Sequence, residues 1–518
     1  MLTQFFGKTF WYTLAGLTGA FFLAIPFLHN PASTIVLGLI GAGVLLLSFW
    51  RLEIGLLVAF AELIAFSHGH LFADGYFEMI SSRMIIFVAV MIAWFILFSF
   101  KRIQLQYKHE LFIPILFILG IVCFGIFRAW MLRGGITGVM EAFMDGNAYF
   151  YLLYIFPILS IDWTTIRKRQ LLQVLAGATI WVSILTLAVF FIYSHYPEWM
   201  LGNVYTFLRD TRLAEITPQV GVIYRVFMPS QIFAGVMLFL LCTSYWMQKK
   251  MSNKEFWILV GIEGLLISTI LISLSRSNWV GLVAGGLVFI GLLIASKKTK
   301  LKQWGKGIGA SGLAVLAGLI IIIFTLFLPV FYQSGSAADF ASVFGSRANT
   351  SMDAAISSRW KLLDPMFEKV MQNPLLGNGF GATVSFETDD PRAVAITGEG
   401  LWTTYAMEWG WLELWLKMGI LGPIAFLLVF STMIRYLLPL LMTNRSWLAI
   451  GLISSVSMLY ATHIFSPYLN HPLGLGLILL IIPFITNIQP ITEKEQMLVP
   501  EARVVRARKP ATAITSKS

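Results

Sequence analysis

The strongest constraint on this chain is a series of about fourteen apolar runs, at roughly 10–28, 33–50, 53–67, 83–100, 111–131, 147–161, 171–193, 226–247, 256–275, 277–295, 309–332, 409–434, 446–466 and 471–488. Most are about 18–23 residues long, the length an α-helix needs to cross a hydrocarbon layer about 30 Å thick. In lipid the backbone must satisfy its own hydrogen bonds, by helices or by a closed barrel. The runs show no period-2 alternation, so helices are expected. Composition agrees: the 518 residues are 58% hydrophobic and 12% charged, with a mean hydropathy of +0.78. That charged share is about half that of a soluble domain. The fold class is therefore an all-α polytopic membrane protein of about 12–14 transmembrane helices. The third and sixth runs are short for a span.

The net charge of +11 does not indicate a nucleic-acid partner, because the basic residues sit in short clusters between apolar runs. Alternate connections carry Lys8; Arg51; Lys101, Arg102 and Lys108; Arg167, Lys168 and Arg169; Lys249, Lys250 and Lys254; Lys297 to Lys306; Arg435 and Arg445; and then the tail. That side holds 24 of the 37 basic residues and reads as cytoplasmic, with both termini inside. The N-terminus has no convincing cleavage site and reads as an uncleaved first span. Cys123 and Cys242 lie inside apolar runs and give neither a disulfide framework nor a metal-ligand spacing.

Four regions follow: a bundle of about 11 spans over 1–332, a long external loop over 333–408, C-terminal spans over 409–488 and a disordered cytoplasmic tail over 489–518. The long loop has five basic and nine acidic residues, unlike a positive-inside connection. Ser357 to Gln372 predicts a helical hairpin or a kinked amphipathic helix, with Trp360, Leu363, Phe367 and Val370 as its apolar stripe. Asp364-Pro365 is suited to start a second short helix, and a helix of this kind would lie near the headgroups. Gly377-Asn378-Gly379-Phe380-Gly381 reads as a tight turn.

An arginine beside an apolar run is costly and has a task or a partner. Arg225, Arg276, Arg359 and, deeper, Arg128 stand on the external side. One reading is convergence on a phosphate or diphosphate, which the fixed guanidinium fork matches. The other is snorkelling or ion pairing, for instance with Glu215 or Glu263. Glu408 sits where the long loop re-enters the membrane, either as a general base or as an acid favoured by a helix N-terminus. His68-Gly69-His70 lacks a third ligand. Packing or headgroup contact accounts for His463 and His471, and Asp389-Asp390 falls on the wrong side for cytosolic nucleotides. There is no P-loop or dinucleotide fingerprint, so no cofactor is expected.

Four pieces, taken in order, carry a likeness. They are Arg225 followed by Pro229 entering a span; Leu274-Ser275-Arg276-Ser277-Asn278-Trp279-Val280-Gly281-Leu282; Ser358-Arg359-Trp360 through Asn373-Pro374-Leu375-Leu376-Gly377-Asn378-Gly379-Phe380-Gly381; and Trp411-Leu412-Glu413-Leu414-Trp415-Leu416-Lys417-Met418-Gly419-Ile420-Leu421-Gly422. Over roughly 220–440 the sequence resembles the O-antigen ligase and O-antigen polymerase superfamily. The resemblance implies a metal-independent glycosyltransferase of the GT-C membrane type in the bacterial cytoplasmic membrane. Its site faces outside, and it moves a glycan from an undecaprenyl-diphosphate donor to a glycan or lipid acceptor. It also implies that Arg225, Arg276 and Arg359 hold the diphosphate. Members carry a histidine just before the re-entering span to activate the acceptor hydroxyl, and counting back from Gly419 that position is Glu408.

The expected function is transfer or polymerisation of the lipid-linked glycan, with Glu408 and Arg276 catalytic. A ligase or a protein O-oligosaccharyltransferase is the alternative within this class. A transporter of an anionic substrate is the competing class. It would show two related halves with interrupted spans, and the sequence has no such repeat.

Overall fold

In the computed structural model the described residues are 2–73, 80–219, 223–247, 251–296, 301–328, 341–343, 345, 354–388, 394, 398 and 400–485. Asp389-Asp390, the start of the long loop at 333 and the tail from 489 lie outside them. The helices are α1 (Leu2–Phe5), α2 (Lys8–Ala24), α3 (Ser33–Trp50), α4 (Leu52–Ala65), α5 (Ser82–Ser99), α6 (Phe112–Arg133), α7 (Gly135–Gly146), α8 (Ile155–Leu159), α9 (Thr165–His195) and α10 (Glu198–Asp210). They continue as α11 (Ile232–Met247), α12 (Asn253–Ile272), α13 (Arg276–Ala295), α14 (Leu301–Phe327), α15 (Ala354–Gln372), α16 (Gly410–Met418), α17 (Leu421–Leu437), α18 (Ser446–Thr462) and α19 (Pro472–Ile485). Two antiparallel hairpins complete the described fold: β1 (Glu215–Pro218) with β2 (Tyr224–Phe227), and β3 (Val384–Glu387) with β4 (Leu401–Thr404).

Ten helical segments are long and apolar enough to cross a membrane, and α18 and α19 are shorter apolar helices. The protein is an all-α multi-pass membrane protein. The short third run is α4, 14 residues of which 11 are buried. The sixth run is not a regular span: residues Asn147–Tyr154 form a 3-10 helix leading into the single turn and a half of α8. Burial rather than length explains both. In a segment surrounded by protein, neighbouring helices rather than lipid set the depth that must be crossed.

Three expectations need correction. The run 409–434 is broken at Gly419, whose φ of 69° ends α16 before α17 begins. A Cβ there would lie 2.1 Å from the Leu375 carbonyl oxygen, so only glycine lets the loop pass. Second, the connection read as a plain loop near 194–225 contains α10 and the β1–β2 hairpin, so Arg225 lies on a strand and the span begins at Pro229. Third, α15 is a single helix running through Pro365, with no new start at Asp364-Pro365. Its buried face is Leu362, Met366 and Val370, spaced four apart, whereas Trp360 is 57% and Phe367 49% exposed. The expected stripe mixed the two apolar faces of one helix.

Close helix contacts come from missing side chains. A Cβ on Gly281 would lie 2.0 Å from Thr462 Oγ1, and one on Gly285 would lie 2.8 Å from Ser454 O. The two glycines are four residues apart on one face of α13, so its backbone packs directly on α18, as small residues allow inside a bilayer. This contact fixes the start of α13 against the end of α18.

Candidate active site

The long loop is tied to the bundle by its glycine turn. Gly377, Gly379 and Gly381 have φ of 73°, 78° and 75°, a region that side chains disfavour. A Cβ on Gly379 would meet the Ala129 backbone nitrogen at 2.8 Å. The turn therefore presses backbone to backbone against α6, and its polar groups are met one by one. Arg128 donates from Nε to Gly377 O and from Nη2 to Asn373 Oδ1 at 2.7 Å. Arg133 donates to Phe380 O. Asn373 donates to Asn378 Oδ1 at 2.8 Å, and Asn378 to Lys369 O at 2.8 Å. Gly381 N–H donates to Asp145 Oδ2 at 2.7 Å. Behind it Lys417, 2% exposed, ion-pairs with Asp145 Oδ1 at 2.6 Å and with Glu413. Arg128 is thus a structural arginine.

At the same end of the bundle four elements converge. The turn from α12 to α13 is forced by Leu274, which sits at φ 46°, strained for a residue with a branched side chain. This turn aims the Ser273 carbonyl at β2, where it accepts from Arg225 Nε at 3.0 Å. The Arg225 guanidinium lies 4.6 Å from the Phe227 ring centroid, a favourable cation–π distance. Arg276 opens α13 directly after this turn and is partly buried. One residue on, Ser277 shares hydrogen bonds with Ser275 at 3.1 Å and with Ser466 at 2.8 Å, which brings in the segment after α18. In that segment Phe465 meets Trp409 with ring centroids 5.5 Å apart. Trp409 donates to Arg359 O at 2.8 Å and packs edge-on against Trp360 at 5.2 Å.

Arg359 closes the circuit with an ion pair to Glu408, whose side chain is 51% exposed. The structure thus gathers Arg225, Arg276, Arg359 and Glu408 at one end of the bundle, through contacts between segments up to about 190 residues apart. Glu408 precedes the Trp409 N-cap of α16, so its observed partner is Arg359. Glu263, considered as an arginine partner, instead sits buried in α12 with Cys242 and Tyr245 as its polar neighbours.

The histidines take other places. His463 is fully buried just past α18, and its Nδ1 accepts from Leu469 N–H at 3.2 Å. The lone pair a base would use is occupied, so the ring acts as packing against Trp411. His68 and His471 meet each other at 3.1 Å beside the buried Arg83–Glu62 pair, whose N···O distance is 3.1 Å. Burial, reinforced by Arg83, holds His68 at about 4. Among the described residues no three His, Cys, Asp or Glu side chains gather to hold a metal ion.

The family model described as O-Antigen ligase matches residues 264–427. Over those residues the chain is similar to the O-antigen ligase family. The matched stretch runs from the middle of α12 into α17. It therefore includes the Arg276 turn, Arg359, the glycine turn and Glu408, and leaves out β2 with Arg225 and the segment after α18. The match supports glycan transfer of the O-antigen ligase and polymerase type in general. Comparison with curated proteins and with solved structures gives no match.

Proposed function

We propose that the protein transfers or polymerises a glycan carried on undecaprenyl diphosphate, at the outer face of the cytoplasmic membrane, with both termini inside. The observation that carries this reading is the convergence of Arg225, Arg276 and the Arg359–Glu408 pair at one bundle end. The distribution of basic residues supports placing that end outside. Arg225 and Arg276 hold the diphosphate, and negative charge grows on its leaving oxygen as the anomeric bond breaks. Guanidinium groups already in place stabilise that charge more than the ground state. No metal ion is required in this scheme. Glu408 accepts the proton of the attacking hydroxyl, and Arg359 holds the carboxylate in place until the acceptor arrives.

The acidic long loop favours a glycan over a phosphorylated lipid as acceptor, and so favours polymerase. The description of the matching family favours ligase. Surface glycans of a deletion strain separate the two. Loss of long polymer with single repeat units retained means polymerase; polymer accumulating on its lipid carrier means ligase. Arg276→Ala and Arg359→Ala, restored to that strain at wild-type protein level, should give no product. Normal chain length in both would refute the proposal.

A further inference from the structure

We infer that the protein binds a membrane phospholipid, with one acyl chain in an apolar cavity between α2, α9 and α10 and the phosphate at the arginines that end α10. The cavity has a volume of about 750 Å³, within the range of about 300–1,000 Å³ typical of sites that take up small organic molecules. Its walls include Phe21 and Ile25 of α2, Leu185 and Ala188 of α9, and Val204 and Phe207 of α10. Phe21 sets the inner wall, with its ring edge-on to Trp181 at 5.7 Å and to Phe207 at 5.4 Å. Apart from the Trp181 indole, the polar lining residues are Thr18, Asn203 and Thr206, and Thr18 turns its hydroxyl to the Leu14 carbonyl at 2.8 Å. Ordered water finds few partners in such a space.

The surroundings select a lipid. The segments of α2 and α9 are both long and apolar enough to cross a membrane. Phe22, Ile25 and Ile184 are 63%, 48% and 49% exposed, so the cavity opens sideways between two spans, where the solvent is hydrocarbon. α10, only 13 residues long, forms a roof, with Val204, Phe207 and Leu208 facing the cavity at 3–4 spacing. At the end of the roof the chemistry turns polar. His29, next to the lining residue Leu28, pairs at 2.7 Å with Asp210, two residues after the lining Leu208, and so pins the roof to the segment after α2. Arg209, which also pairs with Asp210 at 2.6 Å, and Arg212 stand exposed beside this bridge. Two guanidinium groups and an imidazole against one carboxylate suit a phosphate at the level of the headgroups.

The chain in the cavity is that of a bilayer lipid rather than of a polyprenyl carrier, because the cavity and the arginine site use different faces of α9. Leu185, Ala188 and Ile192 line the cavity at 3–4 spacing. Thr186 and Tyr193 face elsewhere: Thr186 accepts from Gln231 Nε2 at 3.0 Å, and Tyr193 packs on Tyr224, the neighbour of Arg225, at 5.1 Å between ring centroids. The lipid therefore acts from behind the arginine site. α10 leads into β1, where Thr217 pairs with Arg225 of β2. A filled cavity fixes the roof and, through the hairpin, the strand that carries Arg225.

The test is native mass spectrometry of the purified full-length protein, released from mild detergent after addition of palmitoyl-oleoyl phosphatidylglycerol or of undecaprenyl phosphate. Wild-type protein should retain one phosphatidylglycerol per chain. Ala188→Trp fills the cavity from α9 and should weaken that binding at least tenfold while still unfolding cooperatively. Replacing Arg209 and Arg212 together by alanine should weaken it several-fold. If Ala188→Trp fails to fold, Val204→Trp, which fills the cavity from the roof, decides. Wild-type protein that retains no phosphatidylglycerol, or folded variants that bind it within twofold of wild type, overturn the inference. Loss of undecaprenyl phosphate but not of phosphatidylglycerol in Ala188→Trp also overturns it, and gives the cavity to the carrier's tail. The surface-glycan test of the proposed function is independent of each result.

Discussion

Two arginine-bearing regions lie close together in this protein and use the same chemistry in opposite ways. In the glycine turn, Arg128, Arg133 and Lys417 are aimed at carbonyls and carboxylates of the protein itself, and the neighbouring amides and asparagines bond to one another. At the α12–α13 turn and the start of α15, Arg225 and Arg276 are partly buried and the Arg359–Glu408 pair is open to solvent. The first region turns its charges inward on the protein. The second keeps an ion pair at the solvent. Side-chain chemistry alone therefore does not mark a site; the balance of donors against acceptors around it does.

That contrast can be broken at either end. The largest effect should come from Lys417→Met, which leaves Asp145 and Glu413 buried without their cation. Breaking such a group costs about 3–5 kcal/mol, so folded protein should nearly vanish from membranes. Wild-type levels on quantitative immunoblots would show that the turn is not held as described.

Arg276→Ala should do the reverse, lowering turnover about 10²–10³-fold, or about 2.7–4 kcal/mol of transition-state stabilisation, with unfolding temperature unchanged. Arg276→Lys should recover only part of that, because an ammonium lacks the planar fork. Equal loss of fold and activity would erase the distinction between the regions.

A smaller effect separates the two roles of one residue. Arg359→Ala removes an ion pair that is largely in water, so stability should change by about 1 kcal/mol or less, while product formation stops. A stability loss as large as that of Lys417→Met would place Arg359 in the structural set.

The smallest effect concerns pH. Burial, reinforced by Arg83, holds His68 at about 4, against 6.5 in the unfolded chain. Between those values the unfolded chain binds protons that the folded one does not. Stability should therefore be level above about pH 6.5 and fall as pH drops toward 4. His68→Asn should make the fall shallower in thermal unfolding at pH 7.5, 6 and 5. An identical slope would mean that the ring is not shielded as its packing indicates.

Much of this fold was legible in the sequence, because spans are fixed by length and polarity, which need no knowledge of neighbours. The break at Gly419 was harder, since an apolar run carries no mark of where a loop such as Leu375 crosses it. The inward face of α15 was misread because both of its faces are apolar, one packed on β3 and the other exposed at Trp360 and Phe367. In the candidate site the charged residues stood out as expensive, so Arg225, Arg276, Arg359 and Glu408 were found one at a time. Their convergence was one of two readings, and the contacts that make it were not visible: Arg359 and Glu408 are 49 residues apart, and Ser277 and Ser466 are 189 apart.

One of the most enclosed helices is also among the shortest. α4 is 14 residues, about 21 Å at 1.5 Å per residue, while the hydrocarbon layer is about 30 Å. Enclosed by α3, α5 and α9, it meets protein rather than lipid along most of its length, so a helix too short to cross the bilayer by itself costs nothing there.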